Sequence, residues 1–291
     1  MSNIPFDDRE GEIWQNGAFV PWKEAKVHVL THGLHYASSV FEGCRVYNGN
    51  IFKLQEHSER LIESARLLDF KVPYNVQELN DACNETIKRN KIDNGYVRPV
   101  AWCGSEKMAI SARENKVHVA VAAWEWGSYF DPELKKNGLK LVTSSWKRPS
   151  PETAPCASKA AGLYMICTMS KHQAERDGYH DALMLDYRGY VAEATGANIF
   201  LVMKNGEIHT PTPDCFLNGI TRRTVMGLAK DAGYTVIERH IMPEELADAH
   251  EVFLTGTAAE ITPVGSIDAH KFTVGEVTHK LVAAYGELVR S

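Results

Sequence analysis

Two Asn-Gly dipeptides constrain the first third of the chain more than any other feature. Asn16-Gly17 lies in "GEIWQNGAFVPW" and Asn48-Gly49 in "CRVYNGNIFKL", each flanked by strand-like residues. A two-residue loop with positive φ at both positions turns a strand straight back on itself, so each stretch predicts a β-hairpin. Two helical patterns follow. In "LQEHSERLIESARLL" the apolar residues Leu54, Leu61, Ile62, Ala65 and Leu68 share one face, and in "ELNDACNETIKRN" Leu79, Ala82, Cys83 and Ile87 do so. "YVRPVAWCG" and "KVHVAVAAWEW" read as strands and complete an α+β region over residues 1–126. Turn formers in "GSYFDPELKKNG" predict a connector over residues 127–138.

Residues 139–291 are strand-dominated, with "LKLVTSSW", "DALMLDY", "YVAEAT", "NIFLVMKNGEIHTP" and "EVFLTGTAAEITPV". Helices are expected at "GLYMICTMSKHQAERDG", "TRRTVMGLAKDAG" and "GEVTHKLVAAYGELV". The expected fold is α+β: a small N-terminal α/β lobe and a larger strand-rich C-terminal lobe. The cleft between two such lobes is the default ligand site.

Composition narrows the partners. With 32 basic and 37 acidic residues the net charge is −5, and no basic block or basic–aromatic stripe suggests a nucleic-acid partner. No apolar run reaches the length of a membrane span, and the polar N-terminus "MSNIPFDDREGEIW" resembles no targeting segment. Six cysteines without a C-x-x-C pair predict reduced thiols and a cytoplasmic protein. His32 and His35 in "THGLHY" have no evident third ligand, so structural histidines and no metal are expected.

Four features could carry chemistry. Lys159 stands among small residues in "APCASKAAGLYMICTMSKH". Two readings are open: a stem whose head escapes to water, or an amine that works unprotonated. "LNGITRRTV", Leu217 to Val225, places Gly219, Ile220 and Thr221 at the start of an amphipathic helix. Free N–H groups there favour a phosphate, unless Thr221 is a plain N-cap. "TGTAA", Thr255 to Ala259, follows a strand and lets backbone N–H groups approach an anion, or is an ordinary tight turn. Glu193 interrupts an apolar strand and either faces outward or is buried with a partner. Together these meet the demands of pyridoxal 5′-phosphate: an amine for the aldehyde, donors for the phosphate and a counter-charge for the ring nitrogen.

From about Ile13 to Gly286 the chain resembles the branched-chain amino-acid aminotransferases, which are fold-type IV pyridoxal-phosphate enzymes. The matching stretches, in order, are "HGLHYASSVFEG", "YVRP", "SSWKR", "SKAAGLY", "LDYRGYVAEATGAN", "NGITR" and "GTAAEITPV". The resemblance implies a cofactor held between the lobes, with the lysine in the C-terminal one. Lys159 would bond the cofactor and then shuttle the substrate's Cα proton. Tyr164 would hydrogen-bond the phenolic oxygen and Glu193 the pyridine nitrogen. Arg60, Leu217, Gly219, Ile220, Thr221, Gly256 and Thr257 would hold the cofactor, chiefly its phosphate. Phe41, Gly43, Trp126 and Tyr164 would line the substrate pocket, with Tyr96 and Arg98 at its far side. There Arg98 can meet glutamate's distal carboxylate and retreat for leucine. Thr257 and Ala258 would take the α-carboxylate. Tyr36 and Ile110 would come from a neighbouring subunit, implying a homodimer; a further assembly of dimers stays open.

The implied reaction is ping-pong transamination of L-leucine, L-isoleucine and L-valine with 2-oxoglutarate. A D-amino-acid or (R)-amine transaminase, an aminodeoxychorismate lyase and a non-catalytic pyridoxal-phosphate-binding protein are the alternatives. The chain departs from the family pattern at Asn218, where proline is common, and at Leu163, Ala194 and Ala197. The Cys103–Lys116 loop also lacks the frequent glycine-rich form and bears on the substrate range.

Overall fold

Asn16 and Gly17 both take positive φ, 53° and 93°, as do Asn48 and Gly49, 49° and 74°. They turn β1 (Glu12–Gln15) into β2 (Ala18–Pro21) and, after helix α1 (His32–Tyr36) and β3 (Ser39–Phe41), turn β4 (Cys44–Tyr47) into β5 (Asn50–Ile51). Helices α2 (Leu54–Leu67) and α3 (Val76–Arg89) follow, then the long hairpin of β6 (Gly95–Cys103) and β7 (Val117–Glu125). The strands form one sheet in the order β2-β1-β7-β6-β4-β5, with β3 also on β6. Leu61 and Ala65 of α2 and Leu79, Cys83 and Ile87 of α3 pack with Val46, Val97, Val119 and Val121 of the sheet. A capping box starts α3: Asn75 Oδ1 accepts the Glu78 N–H at 3.0 Å and Glu78 accepts the Asn75 N–H at 2.7 Å.

This is a computed structural model, and it describes residues 4–127 and 132–291. The chain divides into two units, the first of Met1–Gly127 with Ser158–Leu163, the second of Ser128–Ala157 with Tyr164–Ser291. Part of the connector expected over 127–138 lies outside the described residues; the rest holds helix α4 (Pro132–Asn137). The segment carrying Lys159 was expected with residues 139–291 but groups with the first unit. Its backbone explains why. Ala160 bridges Val40, and the Ser158 hydroxyl donates to the Ser64 carbonyl at 2.9 Å.

The second unit contains β8 (Leu139–Thr143), α5 (Tyr164–Arg176), β9 (Asp181–Leu185), β10 (Val191–Ala194), β11 (Asn198–Met203) and β12 (Ile208–Pro211). It continues through α6 (Ile220–Asp231), β13 (Val236–Arg239), β14 (Ala249–Gly256), β15 (Glu260–Ile267), β16 (His270–Lys271) and α7 (Glu276–Leu288). The sheet runs β10-β9-β8-β15-β14-β11-β12-β13, and a further β10–β11 pairing, Glu193 opposite Asn198, closes a ring of six strands. Leu141, Leu183, Ile199, Leu201, Leu254 and Val264 fill its core. The strands are apolar on most positions because both faces are covered, the pattern of buried sheets. No helix among the described residues is long and apolar enough to cross a membrane.

Candidate functional site

In the first unit the nominated residues gather on β3, β6 and the Lys159 segment. The Lys159 N–H donates to Ser64 Oγ at 3.0 Å, and its carbonyl accepts the Phe41 N–H at 3.2 Å. The backbone is thereby fixed on both sides, and Lys159 Nζ stands 5.0 Å from the centre of the Phe41 ring. Tyr96 and Arg98, two apart on β6, share a face. The Arg98 guanidinium lies 4.8 Å over Phe41 and 5.4 Å over Tyr96, and its Nη2 is 3.4 Å from the Tyr96 hydroxyl. Among the described residues no carboxylate pairs with it. Tyr96 packs on Trp126 at 5.0 Å between ring centres. A Cβ at Gly43 would lie 1.7 Å from the Tyr96 hydroxyl oxygen, so this tyrosine position requires glycine.

A carboxylate absent from the nominated set organises this cluster. Glu42 is fully buried; its Oε1 accepts Arg60 Nε at 2.6 Å, and its Oε2 accepts Arg60 Nη2 at 2.9 Å and His57 Nδ1 at 2.6 Å. Burial alone would push the Glu42 carboxyl up, but Arg60 and then His57 outweigh it and hold it well below the usual carboxylate range. Burial lowers the pKa of His57, so the ring is neutral near pH 7 and gives its Nδ1–H to Glu42. The fork-on-fork pair with Glu42 holds the Arg60 guanidinium in place. Two signals were there to find: the i, i+3 spacing of His57 and Arg60, and an acidic residue inside the apolar run Val40–Cys44.

Tyr36 and Ile110 are both exposed, Ile110 by 80%. His32 ties their segments together. Its Nε2–H donates to the carbonyls of Ala109 and Ile110 at 3.0 and 3.2 Å, and its Nδ1 accepts from Ser38. These bonds give His32 the structural role expected of it.

The second unit carries the rest. Glu193 on β10 is buried, with Oε1 3.4 Å from Arg148 Nε and Oε2 accepting Asn198 Nδ2 at 3.2 Å. Burial works against the charge on Arg148, but the Glu193 carboxylate outweighs it and raises the pKa above the ordinary arginine value. Asn198, which sequence reasoning also passed over, further donates to the Leu217 carbonyl at 3.0 Å and accepts the Gly219 N–H at 3.2 Å. Gly219 is the N-cap of α6 and no side chain caps that end. Thr221 lies inside the first turn, buried, so plain N-capping by Thr221 does not occur. Where proline is common in the family, Asn218 Oδ1 accepts Arg222 Nη1 at 3.0 Å, replacing ring stiffness with a hydrogen bond.

Gly256 pairs with Glu260 across the three-residue turn Thr257–Ala259, and Thr255 Oγ1 is buried without a hydrogen-bond partner among the described residues. Tyr164 is half-buried at the start of α5. Burial pushes the thiols of Cys83 and Cys215 up to about 12 and that of Cys167 up to about 11. These three are therefore protonated near neutral pH and are not nucleophiles.

The chain is similar to known proteins along nearly its whole length. The Amino-transferase class IV family model matches residues 39–267. A branched-chain-amino-acid aminotransferase of Pseudomonas aeruginosa is 42% identical over 289 residues, spanning 97% of this chain and 94% of its own. That of Escherichia coli K12 is 39% identical over 282 residues, 94% of this chain and 91% of its own. The solved T.th. branched-chain amino acid aminotransferase with pyridoxamine 5′-phosphate superposes with a TM-score of 0.93 at 42% identity, covering 97% of this chain and 94% of its own.

The Glu42 network makes stability sensitive to acid. Glu42→Ala leaves Arg60 and His57 without their buried carboxylate and is expected to cost about 3–5 kcal/mol. Because the folded pKa of Glu42 is depressed, its contribution is complete above the unfolded value of about 4.3 and is lost as pH falls toward the folded value. The neutral His57 acts in the same direction, its contribution fading as pH falls below about 6.5. Thermal melting followed by circular dichroism should show a plateau above pH 7, a decline below it, and in Glu42→Ala a smaller loss in the carboxylate range than in wild type. A wild-type midpoint that rises on acidification would contradict this.

Proposed function

The chain belongs to the amino-transferase class IV family, and from that premise we propose that it transaminates L-leucine, L-isoleucine and L-valine with 2-oxoglutarate, using pyridoxal 5′-phosphate. Its fold is that of the fold-type IV enzymes. The observation that carries the reading is the full-length likeness to branched-chain aminotransferases.

The residues fit the cofactor. A helix end that no side chain caps offers N–H groups to a phosphate, and the buried Glu193, paired with Arg148, suits a protonated ring nitrogen. When bound, pyridoxal 5′-phosphate supplies an aldehyde that takes up the amino group and a ring that accepts electron density from Cα. Lys159 would hold the cofactor and then move the proton at the substrate Cα, with Phe41 as an apolar wall beside its amine. Tyr164 would donate to the phenolic oxygen. Arg60, set in place by Glu42, would grip the phosphate with Leu217, Gly219, Ile220, Thr221, Gly256 and Thr257. Thr257 and Ala258 would receive the α-carboxylate, and Phe41, Gly43, Trp126 and Tyr164 the side chain. Arg98, cradled by two aromatic rings and paired with no carboxylate among the described residues, would meet the distal carboxylate of 2-oxoglutarate.

We place the enzyme in the cytoplasm, since its six cysteines are free and buried. We also propose a homodimer that completes each site with Tyr36 and Ile110. Val29, Leu34, Tyr36, Met108 and Ile110 are large exposed apolar residues on the two segments that His32 joins, more than a solitary chain ordinarily shows to water.

The first experiment is an absorption spectrum of the holoenzyme with L-leucine and no oxo acid. Conversion of the visible band to the pyridoxamine form is expected in wild type and absent in Lys159→Ala. A response only to D-amino acids or (R)-amines would move the activity elsewhere in the fold type. Arg98→Ala should lower kcat/KM for 2-oxoglutarate roughly 100-fold and that for L-leucine less than about 10-fold; equal losses would remove the role given to Arg98. Sedimentation should give twice the mass of one chain, and Ile110→Asp should shift it toward the monomer with loss of activity. A fully active monomer would exclude the shared site.

A further inference from the structure

Glu193 needs more than burial to serve a ring nitrogen: its oxygens must point in one direction, in register with whatever holds the phosphate. The carboxamide bonded to it is that of Asn198, directly opposite on β11 and 5% exposed. Its Nδ2 donates to Glu193 Oε2 at 3.2 Å and to the Leu217 carbonyl at 3.0 Å, while its Oδ1 accepts the Gly219 N–H at 3.2 Å. Two acceptors on one side and a donor on the other leave the amide a single orientation, using both N–H groups and the oxygen. A side chain at position 219 is impossible here, because its Cβ would lie 2.3 Å from Asn198 Oδ1.

Leu217 and Gly219 bracket the loop that enters α6, and Gly219 is the N-cap of that helix. One buried amide therefore touches both the carboxylate and the loop that sets the helix N-terminus. The other Glu193 oxygen is engaged by Arg148 at 3.4 Å, so with Asn198 present the carboxylate is held at both oxygens. Asn218 is latched separately, through Arg222, which is itself buried and bonded to the Pro211 carbonyl and to Glu238. Asn198 thus holds the loop at Leu217 and Gly219, and Arg222 holds it at Asn218.

We propose that Asn198 is a positioning residue that locks the Glu193 carboxylate to the Leu217–Gly219 loop, so that the ring-nitrogen end and the phosphate end of the cofactor site keep one register. This rests on the cofactor reading above. Asn198 touches no reacting atom; it acts through Glu193 and through the loop. Replacing it by aspartate sets a carboxylate against two acceptors, Glu193 Oε2 and the Leu217 carbonyl. Alanine removes the amide without adding charge.

The test measures pyridoxal 5′-phosphate and pyridoxal affinities of the apo-protein, and the pH titration of the visible band of the reconstituted protein. Wild type, Asn198→Asp, Asn198→Ala, Glu193→Gln and the double variant Glu193→Gln/Asn198→Asp are compared. Asn198→Asp should weaken pyridoxal 5′-phosphate binding about 10- to 100-fold. The loss should be smaller for pyridoxal, which lacks the phosphate. In Asn198→Ala, which frees Glu193 without adding charge, the spectral midpoint should move in the same direction as in Glu193→Gln. In the double variant the pair is inverted: the amide now at position 193 can donate to the carboxylate now at position 198. Its loss should therefore fall short of the product of the single losses. A merely structural asparagine would lower the melting temperature with the spectral midpoint unmoved and the losses multiplicative, and that result overturns the proposal. If Asn198→Asp does not fold, Asn198→Ala still carries the spectral test. A wild-type protein that binds no pyridoxal 5′-phosphate would sink the cofactor reading itself, an outcome distinct from normal binding by both Asn198 variants, which sinks this inference alone.

Discussion

Where β10 meets β11, a carboxylate and a carboxamide face each other at the point that closes a ring of six strands. Taking a carboxylate out of water is costly unless donors meet it, and removing one partner of such a pair leaves the cost uncompensated. Here Arg148 and Asn198 meet one oxygen each. Because the same amide also binds the loop before α6, closure of the ring and placement of the helix N-terminus become a single packing event. The apolar residues around it, Ile199, Leu201, Leu254 and Val264, supply most of the driving force but little direction. The polar pair supplies the direction.

The first unit meets the same problem with a different balance. Glu42 is as buried as a side chain can be, yet Arg60 grips it with two parallel hydrogen bonds and a neutral histidine adds a third. Attraction at these distances in a poorly polar interior exceeds the desolvation penalty, and the direction of the Glu42 shift records that outcome. The arginine is constrained as well as the carboxylate. A long flexible cation on a helix would otherwise sample many rotamers; bidentate pairing reduces them to one.

Much of this was legible in the amino-acid order, and the reasons differ by level. Both Asn-Gly hairpins, both helices after them and the long strands of each unit follow from local turn chemistry and periodicity, which need no partner in space. Lys159 and Glu193 stood out because each breaks the pattern around it. The Lys159 segment's place was not legible: it is fixed by Ser64 and Phe41, roughly a hundred residues earlier, and no local pattern reports such pairing. Glu42, His57 and Asn198 were overlooked for a related reason. Their importance lies in what they hold: the acidic residue within Val40–Cys44 and the His57–Arg60 spacing hint at a pair without naming its partners, and Asn198 looks ordinary until its partners are known. Asn218 reads as a departure from proline in one dimension; only Arg222, one helical turn on, makes it a substitute.

The contact between Gly43 and Tyr96 reaches beyond the packing of one strand. The tyrosine hydroxyl occupies the very space a methyl group at position 43 would need. The two positions therefore divide a fixed volume, and whatever one gains the other must yield. For any change of side chain at this point of the sheet, the unit of change is the pair. Altering position 43 alone meets a clash, and trimming position 96 alone opens a void that glycine cannot fill.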